Sequence, residues 1–139
     1  MKHDKDLNRQ MRGIYARGNS LLKRFKYCNN EVKMKLFKAY CTNFYCLSLW
    51  SKFTQQSHRK VKSAYNRIFR NFMNVERDDM VHFMVNNNVK TFQEIERTLI
   101  FSFKSRIDIC DNIIVSVVRD SLFNNTSFLT VVWNKVLYL

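Results

Sequence analysis

At 139 residues the chain is long enough for one domain with one core and too short to expect two. A hydrophobic share of 46%, with twelve Phe, six Tyr and two Trp, argues against a disordered chain; no proline and only two glycines argue against a turn-rich all-β fold. The net charge of +13 is sorted along the chain: residues 1–74 hold seventeen Lys or Arg against Asp4, Asp6 and Glu31, whereas residues 75–139 hold seven against eight acids. A half-molecule at +14 attracts any polyanion and releases its counterions.

The first predicted helix covers about residues 4–27. Leu7, Met11, Ile14, Tyr15, Gly18, Leu21, Leu22 and Phe25 recur at three- and four-residue intervals and make one apolar stripe. Arg9, Arg12 and Lys23 fall near the opposite side, flanked by Arg17, Arg24 and Lys26. Gly18, on the stripe, leaves room for a close neighbour. Asn29-Asn30 breaks the pattern, and Asn30 is the expected cap of the next element.

That second helix is expected over residues 31–52. Lys33, Lys35 and Lys38 interrupt its apolar residues at first; from Tyr40 to Trp50 it is apolar nearly all round, as a central bundle helix would be. The third, over residues 57–74, is the cleanest. Val61, Ala64, Tyr65, Ile68, Phe69, Phe72 and Met73 form its core stripe, and Arg59, Lys60, Arg67 and Arg70 take the far face. Basic residues thus line the outer faces of three successive helices.

Beyond Val75 the character changes. Asp78 or Asp79 is expected to cap a short helix through Met80, Val81, Met84 and Val85 that ends at Asn86-Asn87-Asn88. Thr91-Phe92-Gln93-Glu94 is a capping-box pattern opening a helix with the stripe Phe92, Ile95, Leu99, Phe103, Ile107 and Cys110. Residues 113–118 are β-branched enough for a strand, but the spacing of Ile114, Val117, Val118 and Leu122 favours a helix. A last short helix is expected within residues 126–139, holding Phe128, Val132, Trp133 and Leu137. The expected fold is an all-α bundle of about five to seven helices around one core. Within it, a basic segment over residues 1–74 is packed by a near-neutral segment over residues 75–139.

No catalytic centre emerges from the residues. Cys41 and Cys46 precede His58 at a finger-like distance, but helical spacing sets the two thiols far apart around the axis and no second His follows. With Cys28 and Cys110 they read as reduced core thiols, with no metal expected. Asp78-Asp79 reads as a cap, not a two-metal site. His3, His58 and His82 are scattered, and two glycines cannot build a phosphate-cradling loop. The N-terminus lacks the apolar core of a signal peptide, and residues 39–51, the charge-free run that most invites the idea, fall short of the ~20 residues of a membrane span. An intracellular protein, cytoplasmic or nuclear, is expected. The basic residues named above are the candidate contacts to nucleic acid; without a base-reading motif, backbone and shape are what they would read.

Four runs carry a resemblance. RQMRGIYARGNSLLKRF (residues 9–25), EVKMKLFKAYCTNFYCLSLW (31–50), AYNRIFRNFM (64–73) and NNNVKTFQEIERTLIFSFKSRI (86–107), with the closing WNKVLYL, resemble in this order the C-terminal part of reverse transcriptases from non-LTR (LINE-type, jockey-like) retrotransposons. The resemblance implies the thumb and the helical region beyond it, following the palm and its Phe/Tyr-Ala-Asp-Asp box. Asp78-Asp79 do not correspond to that box. Where family members often carry proline and small residues, this chain has VERDDMVHFM (75–84). Met1 so near the start of the similar region suggests a fragmentary copy of the element. The implied role is a module that grips the backbone of an RNA–DNA or RNA duplex and cannot polymerise alone, without cofactor. The alternatives are a subunit completing a palm in trans, a relic without function, and a helical interaction protein with a generic polyanion-binding face.

Overall fold

The computed structural model describes residues 3–45, 47–49, 55–124 and 128–138. Apolar spacing at the helical period becomes seven α-helices there, with no strand among the described residues: α1 (His3–Phe25), α2 (Asn30–Tyr40), α3 (Gln55–Met73), α4 (Met80–Asn86), α5 (Phe92–Ile109), α6 (Ile113–Asn124) and α7 (Phe128–Leu137), with a 3₁₀ turn at Leu47–Leu49. The fold is all-α, as the periodicity predicts. None of these helices is long and apolar enough to cross a membrane.

The helices sort into two compact units. The first joins Met1–Tyr45 to Lys52–Phe92, and the second joins Cys46–Ser51 to Gln93–Leu139. The division therefore falls at the start of α5, not at residue 74 where the charge changes, because α4 and the turn after it belong with α1–α3.

In the first unit, α1 buries Leu7, Ile14 and Leu21 on its predicted stripe, and α3 buries all seven residues of its own. Gly18 is the point of closest approach: a Cβ there would stand 2.3 Å from Ile68 Cγ2. The centre is aromatic. Phe37 meets Phe69 edge-on at 5.0 Å and Tyr65 at 5.5 Å, while Phe44 meets Phe92 at 5.3 Å. Lys33 over Phe72 and Phe37 beside Phe69 set α2 antiparallel to α3. The buried Tyr65 satisfies its hydroxyl by donating to the Lys90 carbonyl at 2.7 Å.

Two predicted details in this unit are corrected. Asn29, not Asn30, caps α2: its extended backbone lets Oδ1 accept from the Val32 N–H at 2.9 Å, which makes Asn30 the first helical residue. The long second helix also does not form. α2 stops at Tyr40, where Thr42 Oγ1 donates to the Lys38 carbonyl at 2.6 Å and Asn43 Nδ2 to the Ala39 carbonyl at 3.1 Å. These polar side chains take up carbonyls that a continuing helix would need, and the chain turns. Cys41, Phe44 and Leu47 are then buried at three-residue intervals while Ala39, Tyr40 and Tyr45 are exposed, a repeat tighter than the ~3.6-residue α-helical period.

Asparagines end two other helices. Asn74 (φ 56°) follows α3, and Asn88 (φ 53°) follows α4; both adopt the left-handed conformation that asparagine tolerates better than most residues. After α4, Val89 N–H donates to the Met84 carbonyl and Asn88 N–H to that of Val85, closing the double-bonded helix end that the triple-Asn run foretold. Asp79 does stand at the start of α4, but its side chain makes no capping bond, so it contributes charge alone.

In the second unit, Leu47, Ile95, Ile100 and Trp133 are buried. The Trp133 indole N–H donates to the Ser48 carbonyl at 2.8 Å, and its ring meets Phe103 edge-on at 5.7 Å. Arg97 Nε donates to the Val136 carbonyl at 3.2 Å and so ties α5 to α7. The β-branched run is a helix because Asn112 starts it, Oδ1 accepting from the Ile114 N–H at 2.9 Å. Much of its apolar surface stays open: Ile113 is 78% exposed, Ile114 71% and Val117 64%.

Candidate nucleic-acid interface

The charge follows the units. The first holds nineteen Lys or Arg against six Asp or Glu, and the second five against five, so the whole excess of thirteen belongs to the first. All thirteen candidate contacts lie there too. On α1, opposite the buried stripe, Arg9, Arg12 and Lys23 are exposed, with Arg24, and Lys26 in the turn after the helix, also open to solvent. On α3, Arg59, Lys60 and Arg67 are exposed, and Arg70 is half-buried. Lys5 extends the α1 row one turn before Arg9 and was not singled out in the sequence; the four-residue interval is the signal that marks it.

Several of the thirteen are already engaged. Arg9 pairs with Asp6 at 3.3 Å and Lys35 with Glu31 at 2.7 Å. Both pairs are solvent-exposed and contribute little to stability, so a phosphate can replace the carboxylate at small cost. The Lys35 ammonium nevertheless holds the Glu31 carboxyl below its ordinary value through a hydrogen bond and its charge. Lys38 donates to the Asn87 carbonyl at 2.9 Å and pins the end of α4 to α2. Lys33 lies half-buried over the Phe72 ring, 6.0 Å from its centroid.

Arg17 departs furthest from its predicted role. Its guanidinium lies back along α1 over Gly13, where the missing side chain makes room, and Nη2 reaches the Asn43 carbonyl at 3.4 Å. Nε is buried without a partner among the described residues. Arg17 thus straps the turn after α2 onto α1, a role that the sequence pattern could not separate from that of its neighbours. Beneath it Cys41 is fully buried, and burial pushes the thiol up to about 11 although the Arg17 charge opposes the shift.

Two clefts border α1. The one against α2 measures about 250 Å³ and is lined by Ser20, Arg24 and Tyr40 among others; the one against α3 measures about 230 Å³. The second carries Tyr15, Asn19, Arg67 and Asn71 at its rim above Ile68 and Phe72. Tyr15, Asn19 and Asn71 become neighbours only when α1 packs on α3, so no stretch of sequence reveals the set.

The cysteine and carboxylate groups weighed as metal sites are also placed. Cys41 is buried, Cys28 and Cys110 are half-buried free thiols, and Cys46 lies outside the described residues. The His58 ring packs edge-on against Phe92 at 5.3 Å. Asp78 and Asp79 are both exposed at the start of α4. Among the described residues no three His, Cys, Asp or Glu side chains gather. Comparison with protein-family models, with curated proteins and with solved structures finds no match for the chain.

Proposed function

We propose that the first unit is a nucleic-acid-binding module that grips the phosphate backbone of a duplex, and that the chain is the thumb-like part of a reverse transcriptase of the non-LTR retrotransposon kind, without the catalytic palm. One observation carries the binding: the entire net charge of +13 falls within a single unit of the fold, and its exposed members include rows on α1 (Lys5, Arg9, Arg12 and Lys23) and on α3 (Arg59, Lys60 and Arg67). Charge placed only for solvation has no reason to leave one unit neutral. The order of the four sequence runs supports the further assignment to a thumb.

The test is binding of the purified chain to an RNA–DNA hybrid across a salt series, beside heparin and anionic vesicles. The expected result is a linear fall of log affinity with log salt, at about 0.9 per phosphate contacted, with preference for the duplex. Replacing Arg9, Arg12, Lys23 and Arg59 together by Gln should lower that slope by roughly three to four. Equal binding of all three polyanions would leave a generic polyanion-binding face, and no binding by a folded chain would leave a relic.

A further inference from the structure

We propose that the cleft between α1 and α3 receives one unpaired nucleobase of the bound strand, an inference that rests on the nucleic-acid reading and adds to it a contact with a base. The cleft exists because Gly18 lets α1 settle against Ile68, leaving a trough over the contact. Two side-chain pairs, each four residues apart, stand on its walls: Tyr15 and Asn19 on α1, Arg67 and Asn71 on α3. Residues at that interval lie above one another on one helix face, so the two pairs form opposing rims. The four make no hydrogen bond with one another or with other described residues, and they are open to a ligand.

Size and chemistry narrow the occupant. At about 230 Å³ the cleft is smaller than the roughly 300–1,000 Å³ of sites that enclose a whole drug-sized molecule, so it suits one unit of a longer chain. A phosphate only accepts hydrogen bonds and has no use for the apolar surface that the half-exposed Tyr15 ring and Leu22 present above the buried Ile68 and Phe72. A base offers a flat apolar face for that surface and an edge carrying both donors and acceptors. Asparagine amides also carry both, and an amide paired with a purine edge is a recurrent contact. Arg67 at the rim then meets the adjoining phosphate, continuous with the basic rows on α1 and α3.

The test compares an RNA hairpin bearing a single bulged adenosine with the same hairpin abasic at that position, which keeps the sugar and the phosphate. The chain should bind the bulged adenosine about tenfold more tightly, the ratio that one well-placed amide–base contact provides. Joint Asn19→Ala and Asn71→Ala substitution should bring the ratio close to one and leave the salt slope unchanged. Both asparagines are exposed, so the variant should keep its helices, which circular dichroism checks. Arg9→Gln should weaken both probes equally and preserve the ratio. Equal affinity of the unaltered chain for the two hairpins, with a steep salt slope, would overturn the base site and leave the backbone reading standing. A ratio unchanged by the double substitution would also overturn it. Absence of salt-dependent binding to either hairpin would remove the backbone reading, and the base site with it.

Discussion

The two units solve the same problem with different means. The first closes a core of interlocked aromatic rings, with Phe37, Tyr65, Phe69, Phe72 and Phe92 almost wholly buried, and puts all of the excess charge outside it. The second has no net charge and leaves the Ile113, Ile114 and Val117 side of α6 open to solvent. A dense core is what lets the first unit tolerate its charge: self-repulsion among so many cations destabilises a compact state unless packing offsets it. The second unit carries no such load; among its described residues Trp133 is buried and donates to the Ser48 carbonyl.

The comparison breaks most readily at Phe37. Phe37→Ala removes a ring with contacts to Tyr65 and Phe69 and should cost about 3–5 kcal/mol. Segment-resolved hydrogen exchange should show α1–α3 opening while protection in residues 100–137 persists; uniform loss of protection would show that the units unfold as one. A smaller effect is expected at the two glycines, with opposite signs. Gly18→Ala drives a methyl into Ile68 and should destabilise by about 1–3 kcal/mol. At Gly13 the new Cβ meets only the Arg17 guanidinium, at 3.7 Å and beyond, so Gly13→Ala should gain about 0.5–1 kcal/mol of helix stability. Urea denaturation followed by circular dichroism reads both. The smallest change is expected on α6, where joint Ile113→Lys and Val117→Lys substitution should alter stability by about 0.5 kcal/mol or less. A large loss in the same denaturation experiment would mean that this face is covered in the folded protein.

Periodicity made the helices legible. The α3 stripe was readable residue by residue because its apolar positions repeat without interruption, and Gly18 announced a close contact by its place on the α1 stripe. The end of α2 was not legible. Hydrophobicity from Tyr40 onward outweighs the signal of Thr42 and Asn43, whose side chains end the helix by bonding backward to it. The roles of the basic residues were legible only as a class. Arg17 and Arg24 both flank the α1 stripe in sequence, yet Arg24 is exposed and Arg17 folds over Gly13, since its place depends on where Asn43 arrives from the following element. The α1–α3 cleft was invisible for the same reason.

Cys41 carries a practical consequence. The reactive form of a thiol is its thiolate, and burial holds this one protonated up to about 11, against an ordinary 9.0. The folded state is therefore favoured by this group fully below about 9, and that advantage fades as pH climbs through 9 toward 11, where an unfolded chain ionises first. At neutral pH an alkylating reagent finds Cys28 and Cys110 half-open and Cys41 closed. The slowest of these three alkylation rates is then a clock, ticking only when the aromatic core comes apart.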